Sequence, residues 1–185
     1  MSGAESILKG KRILAVDDEE DILETIEDIL DGVELETARN YEDASQKIAA
    51  NRYDLVVLDI MGVNGLQLLQ EAVVRSMPAV MLTAHAINPD TLMESIRQGA
   101  IAYLPKETLA ELDKFLADLL AAHQKGEPPW ELLFDELGDY FDERFGKGWM
   151  DRHADFWSEF SRTYQVGRGI QQRLLHDRKV LDKGI

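Results

Sequence analysis

The apolar run at residues 55–58, Leu-Val-Val-Leu, is the feature that most limits the folds open to this chain. It is short, holds two β-branched residues and ends at a glycine-containing turn, which is typical of a strand buried on both faces of a parallel sheet. Asp59 follows the run directly. In open α/β sheets, ligands bind outside the carboxyl ends of the strands, so we expect the chemistry of this chain to centre on Asp59.

Strand and helix signals alternate along the chain from residue 11 to residue 123. Five apolar runs predict strands, and apolar residues at helical spacing lie between them. This alternation predicts an α/β fold with a flavodoxin-like, doubly wound sheet of five parallel strands and right-handed crossovers. Thr108, with Glu111 three residues later, has the spacing of a capping box and predicts the start of the fifth helix. The predicted strands are residues 12–16, 33–38, 55–58, 79–82 and 100–104.

The composition excludes several classes of function. Lys and Arg total 20 and Asp and Glu total 35, so the formal net charge is −15 over 185 residues. This balance argues against a general electrostatic attraction to nucleic acid or anionic lipid. The chain has no cysteine, which removes disulfides, thiolate metal sites and cysteine nucleophiles. Since it also has no signal-peptide pattern and no apolar run of membrane-spanning length, we expect a cytoplasmic protein without a membrane partner.

Polar side chains follow four of the five predicted strands, at the point where each strand ends. Asp17 and Asp18 follow the first strand, Asp59 the third, Thr83 the fourth and Lys106 the fifth. Three neighbouring carboxylates would repel one another by roughly 1–4 kcal/mol per pair, so the group needs a divalent cation or an ammonium. Hard oxygen ligands without His or Cys favour Mg²⁺. The set is therefore a candidate magnesium-dependent phosphoryl acceptor.

Each of these residues also has an ordinary structural explanation. Asp17 and Asp18 could cap the first helix and match its dipole, Lys106 could be a solvated lysine, and Thr83 a strand-end hydroxyl. Their joint placement at four strand ends favours a functional site. His85, two residues after Thr83, is more often a surface residue, and it is a candidate for tuning the access of water to a phosphoryl group.

Four short motifs carry a resemblance to a known family. They are Val16-Asp17-Asp18, Leu58-Asp59, Leu82-Thr83-Ala84 and Tyr103-Leu104-Pro105-Lys106. In order and approximate spacing they match the signatures of the receiver domain of two-component response regulators, which residues 11–123 therefore resemble. The resemblance implies a protein that accepts a phosphoryl group from a sensor histidine kinase or a phosphotransfer protein and then switches its interactions with a downstream protein target.

The resemblance also implies a metal site. It makes Asp59 the phosphoacceptor, with Asp18 and Asp59 as direct ligands of Mg²⁺. Asp17 would bind the ion through water, and the backbone carbonyl of Met61 would complete the protein ligands. The domain would assist its own phosphorylation and dephosphorylation and would contain no separate catalytic domain.

The remaining matched residues are implied to form the switch. Thr83 and Lys106 would contact the phosphoryl oxygens, and Tyr103 would swing inward when Thr83 moves. In the family this coupling alters the face made by the fourth helix, fifth strand and fifth helix. A homodimer through that face, or through the C-terminal extension, is therefore expected.

The turn after the acceptor departs from the family pattern. The family usually has Met-Pro there and reaches its glycine later, whereas residues 59–65, Asp-Ile-Met-Gly-Val-Asn-Gly, are two residues shorter and lack the proline. The turn must be rebuilt, and we expect glycine to supply a positive φ.

A break at residues 124–129, which holds a glycine and two consecutive prolines, divides the predicted domains. Residues 1–10 would form an N-terminal arm, 11–125 the receiver domain and 126–185 a helical extension. Aromatic residues at three- and four-residue steps predict a helical hairpin over residues 130–164, with its aromatic face buried on the receiver or across a homodimer. A short basic helix is predicted at residues 170–181.

Three outputs fit such an extension. An interaction element is favoured by the aromatic face. A DNA-binding output would require a basic recognition helix, whereas residues 130–164 are markedly acidic, so no nucleic acid partner is expected. A phosphotransfer output would use a histidine, with His123, His153 and His176 as candidates, but the segment is short for a four-helix phosphotransfer bundle.

Overall fold

The computed structural model describes residues 7–85 and 87–167, with side chains in the last helix described as far as residue 162. Most of the predicted N-terminal arm and the predicted basic helix at residues 170–181 lie outside the described residues. The chain divides into two compact units, the first ending at Leu137 and the second beginning at Gly138. Within the described residues, no helix combines the length and apolar content needed to cross a membrane.

The first unit contains the predicted sheet of five parallel strands, in the order β2-β1-β3-β4-β5. The strands are β1 Arg12–Val16, β2 Glu34–Ala38, β3 Leu55–Leu58, β4 Ala79–Thr83 and β5 Ala102–Pro105. The helices between and after them are α1 Glu20–Ile29, α2 Tyr41–Ala50, α3 Gly65–Val74, α4 Pro89–Arg97 and α5 Leu112–Gln124. The doubly wound fold predicted from the sequence is confirmed.

The position of β3 explains why its apolar run is uninterrupted. It lies between β1 and β4, and all four of its residues are buried. The register pairs Val16 of β1 with Leu58 of β3, and Leu58 with Met81 of β4. Asp59 continues the same ladder, since its backbone N–H donates to the Val16 carbonyl at 3.0 Å. The residues that follow these strands therefore share one edge of the sheet.

Two helix starts show how local sequence decides an element boundary. At α4 the Asn88 side chain accepts a hydrogen bond from the Thr91 N–H at 2.9 Å, as its N-cap position predicts. The capping box predicted at Thr108 is wrong. Thr108 lies inside a 3₁₀ helix, Lys106–Glu111, and its hydroxyl donates to the Pro105 carbonyl at 2.7 Å. Because this tight turn continues to Glu111, α5 begins only at Leu112.

The described part of the extension contains two helices, α6 Pro129–Phe145 and α7 Ala154–Gly167, with a 3₁₀ helix Asp151–His153 before the second. The first turns of α6 belong to the same compact unit as the sheet. Trp130 is 4% exposed, and its indole N–H donates to the Ala100 carbonyl at 3.0 Å. Leu133 and Leu137, on the same helix, are also buried. The division between the two units therefore falls inside α6, whereas α5 ends at Gln124, the first residue of the predicted break.

Aromatic rings connect the two helices of the extension within the second unit. Phe145 contacts Trp149 edge-on, with ring centroids 4.9 Å apart, and Trp149 contacts Trp157 at 5.6 Å. The indole N–H of Trp149 donates to an Asp142 carboxylate oxygen at 3.1 Å. Phe141 and Trp149 are fully buried. The aromatic face predicted for residues 130–164 therefore packs partly on itself, and burial across a homodimer stays a prediction.

Candidate functional site

Lys106 lies at the centre of the polar group on the carboxyl edge of the sheet. Its ammonium is 2.7 Å from an Asp17 carboxylate oxygen and 3.1 Å from an Asp59 carboxylate oxygen. All three side chains are buried. The short 3₁₀ helix that begins at Lys106 directly after β5 places the lysine above the ends of β1 and β3. Three residues chosen from the sequence are thus in direct contact.

Glu19 also binds Lys106, and sequence reasoning missed it. Its carboxylate is 2.9 Å from the ammonium, and its side chain is 50% exposed. Carboxylate oxygens of Asp17, Asp18, Glu19 and Asp59 all lie within 4.8 Å of one another. Glu19 belongs to the acidic run after β1, but the sequence does not distinguish it from the other acids of that run. Its role becomes clear only from its contact with Lys106.

The charges of this group depend on one another. Burial raises the pKa of Asp17 above its ordinary value, although the hydrogen bond from Lys106 acts in the opposite direction. Burial alone would lower the pKa of Lys106, but its hydrogen bonds to Asp17, Glu19 and Asp59 raise it. The hydrogen bond from Lys106 lowers the pKa of Glu19. Lys106 therefore supplies a permanent positive charge inside an acidic pocket.

Thr83 and Tyr103, the residues predicted to form the switch, lie at the end of β4 and within β5. Thr83 is fully buried at the end of β4, and its hydroxyl is a buried polar atom without a hydrogen-bond partner among the described residues. An unpaired buried hydroxyl is costly, so its oxygen is available to a group that enters the site. Tyr103 is fully buried, and its hydroxyl is 2.9 Å from the Thr91 hydroxyl on α4. His85 is exposed.

The shortened turn after Asp59 is built from unusual backbone conformations. Gly62 has a φ of +84°, which confirms that glycine supplies a positive φ, and Asn64 is left-handed at φ 55°. A Cβ atom at Gly62 would be 2.6 Å from the Asp18 carboxylate, so Asp18 lies directly against the turn. The Met61 side chain is 53% exposed. Its carbonyl as a metal ligand stays a prediction.

Gly65→Ala should lower the free energy of unfolding by about 1–3 kcal/mol. The added Cβ would be 1.8 Å from the Asp59 carbonyl oxygen, so the backbone of the turn must move. Gly138→Ala is the matched control, because a Cβ there meets nothing within 4 Å inside α6. That change should be neutral or raise stability by about 0.5–1 kcal/mol. Urea unfolding of both variants tests this, and equal stabilities would contradict the close approach.

The donors at this edge suit a hard divalent cation. Four carboxylates and one ammonium leave an excess of negative charge, and the four side chains grouped within 4.8 Å of one another all offer carboxylate oxygens. Mg²⁺ is bound in proteins through one or two carboxylates together with waters and phosphate oxygens. The residues present therefore fit this ion, with Asp17, Asp18 and Asp59 as its expected carboxylates.

Residues 13–117 match the family described as the response regulator receiver domain. The match covers more than half of the chain, so the chain belongs to this family. The resemblance seen in the four motifs is confirmed, and this is a receiver domain of the kind found in two-component systems.

Two curated relatives show the range of similarity. The chain is 37% identical to the nitrogen assimilation regulatory protein NtrX of Azorhizobium caulinodans over an alignment of 103 residues, and the match covers 51% of this chain and 22% of that protein. It is 34% identical to the phosphate regulon transcriptional regulatory protein PhoB of Klebsiella pneumoniae over an alignment of 115 residues, and the match covers 55% of this chain and 50% of that protein. The chain spans half or less of the length of the curated relatives described.

Solved structures give the same fold. The CheY-like response regulator receiver domain protein of Methanospirillum hungatei is 29% identical, with a TM-score of 0.58, and the similarity covers 63% of this chain and 98% of that one. NtrX of Brucella abortus is 31% identical with a TM-score of 0.55, covering 71% of this chain and 29% of that chain.

Proposed function

We propose that this protein accepts a phosphoryl group on Asp59, with Mg²⁺, and thereby switches its interactions with other proteins. The observation that supports this most directly is the buried contact of Lys106 with both Asp17 and Asp59 at the carboxyl edge of the sheet. A buried carboxylate next to a permanent cation is suited to receive an anionic phosphoryl group, because the ammonium offsets the added charge.

Each residue has a distinct part in the proposed transfer. The unbonded electron pair of an Asp59 carboxylate oxygen forms the new bond to phosphorus while the bond to the donor's leaving group breaks. One Asp59 oxygen already accepts the Ile60 N–H at 2.8 Å, which fixes the orientation of the carboxylate. Mg²⁺ would supply charge neutralisation and orientation for the phosphoryl oxygens. Lys106 and the unpaired Thr83 hydroxyl are proposed to contact those oxygens.

The proposed phosphodonor is a sensor histidine kinase or a phosphotransfer protein, and the proposed output is a downstream protein. Nucleic acid is the less favoured target, although one relative is named a transcriptional regulatory protein. In α6, Glu131, Asp135 and Asp139 recur at four-residue steps and are exposed. A helix with this charge would be repelled by phosphates, so the extension is proposed as a protein-binding element.

Phosphoryl uptake by the full-length chain tests the proposal. Incubation with a small phosphodonor and Mg²⁺ should raise the intact mass by one phosphoryl group, because one carboxylate, Asp59, is the proposed acceptor. Chelation of the metal should prevent the gain, since the carboxylate cluster would then repel the donor. An unchanged mass in the presence of Mg²⁺ would contradict the proposed function.

A further inference from the structure

The ammonium of Lys106 has no free N–H to offer in this structure. An ammonium has three N–H donors, and three carboxylates lie within 3.1 Å of Lys106 Nζ. These belong to Asp17 at 2.7 Å, Glu19 at 2.9 Å and Asp59 at 3.1 Å. A phosphoryl oxygen can therefore bind Lys106 only if one of these contacts is given up.

Asp17 is poorly placed to be the contact that is lost. Its second carboxylate oxygen accepts the Glu19 backbone N–H at 2.9 Å, and its side chain is only 3% exposed. Breaking its contact with Lys106 would leave a buried negative charge without the neighbouring ammonium, and this would raise the free energy of the folded protein. Asp59 is the acceptor itself and stays next to any group attached to it.

Glu19 has the opposite properties. Half of its side chain is exposed, so water can replace Lys106 as its partner. It occupies the N-cap position of α1 but makes no capping hydrogen bond with its side chain. Its carboxylate instead turns to Lys106, across 87 residues of sequence. Of the three partners of Lys106, Glu19 is therefore the one that can leave at least cost.

We propose that Glu19 is a positioning residue that holds, in the unmodified protein, the Lys106 donor that a phosphoryl group on Asp59 would take. It competes with that group and so sets how tightly the site retains it. This inference rests on the proposed function of Asp59. Glu19 does not contact the reacting oxygen of Asp59 in this proposal, and it acts only through Lys106.

The binding of beryllofluoride, an anion that mimics a phosphoryl group on aspartate, tests the competition in the full-length protein. Calorimetry at saturating Mg²⁺ should show about two- to fivefold tighter binding for Glu19→Gln, the size expected for a partly exposed charged contact. Glu19→Asp should also bind beryllofluoride more tightly. It keeps the charge, but its side chain is one methylene shorter and cannot maintain the contact of 2.9 Å with Lys106. A Mg²⁺ titration without beryllofluoride, carried out on each variant, separates any change in metal affinity from the gain expected for beryllofluoride.

Glu20→Gln is the matched control. It removes the same charge from the next residue, which is exposed and pairs with Arg39 at 3.3 Å and not with Lys106. Its affinity for beryllofluoride should equal that of the unaltered protein. An equal gain in Glu20→Gln would overturn the proposal, because the effect would then be one of general charge.

The remaining outcomes separate this inference from the proposed function. Unchanged binding in Glu19→Gln, or weaker binding together with weaker Mg²⁺ affinity, would overturn the competition, and the second result would identify Glu19 as a metal ligand. If the unaltered protein binds no beryllofluoride in the presence of Mg²⁺, the proposed acceptor role of Asp59 fails instead.

Discussion

Asp59→Asn should abolish phosphoryl uptake by the full-length protein while leaving its fold intact. An amide oxygen lacks the negative charge of the carboxylate and is a far weaker nucleophile toward phosphorus. The substitution keeps the size of the side chain and an oxygen that can accept the Ile60 N–H. Intact mass after treatment with a small phosphodonor and Mg²⁺ measures the result, and the unaltered protein should gain one phosphoryl group.

Asp28→Asn is the control for this experiment. Asp28 is exposed on α1, away from the ends of β1 and β3, so the variant should be phosphorylated like the unaltered protein. Thermal unfolding of both variants shows whether the fold is kept. A folded Asp59→Asn variant that still gains a phosphoryl group would assign the acceptor to another residue.

Trp130→Ala should lower the free energy of unfolding of the sheet-containing unit by about 3–5 kcal/mol. Trp130 is 4% exposed, and its indole N–H donates to the Ala100 carbonyl just before β5. The truncation would leave a large cavity and remove that hydrogen bond. Because folded domains are stable by only about 5–15 kcal/mol in total, the effect should be large in a chemical unfolding curve.

Two further variants separate the effect of the cavity from those of the lost hydrogen bond and of the neighbouring ring. Trp130→Phe keeps most of the apolar surface but loses the N–H donor, so it should cost about 1 kcal/mol. Phe134→Ala tests the neighbouring ring, whose centroid is 6.0 Å from that of Trp130, at a half-buried position, and should cost less than Trp130→Ala. Equal stability of Trp130→Ala and the unaltered protein would show that the contact of Trp130 with Ala100 does not stabilise the sheet-containing unit.

The sequence by itself determined the architecture of the sheet and most of the polar group. Residues 55–58 contain no polar residue, and this uninterrupted run predicts, from the sequence alone, a strand that is covered on both faces. All four residues of β3 are buried. Parallel strands that alternate with helices must bring their carboxyl ends to one edge. The convergence of Asp17, Asp59 and Lys106 therefore follows from chain order alone, and their contacts confirm it.

Only the tertiary structure decided the features that depend on distances between remote segments. Glu19 is one of several acids after β1, and its contact with Lys106 is set by where the 3₁₀ helix after β5 places the ammonium. The division of α6 between two compact units is likewise absent from its sequence, because the helical pattern of residues 130–145 is continuous. Periodicity reports which face of a helix is apolar, whereas the surface that covers this face is chosen by packing.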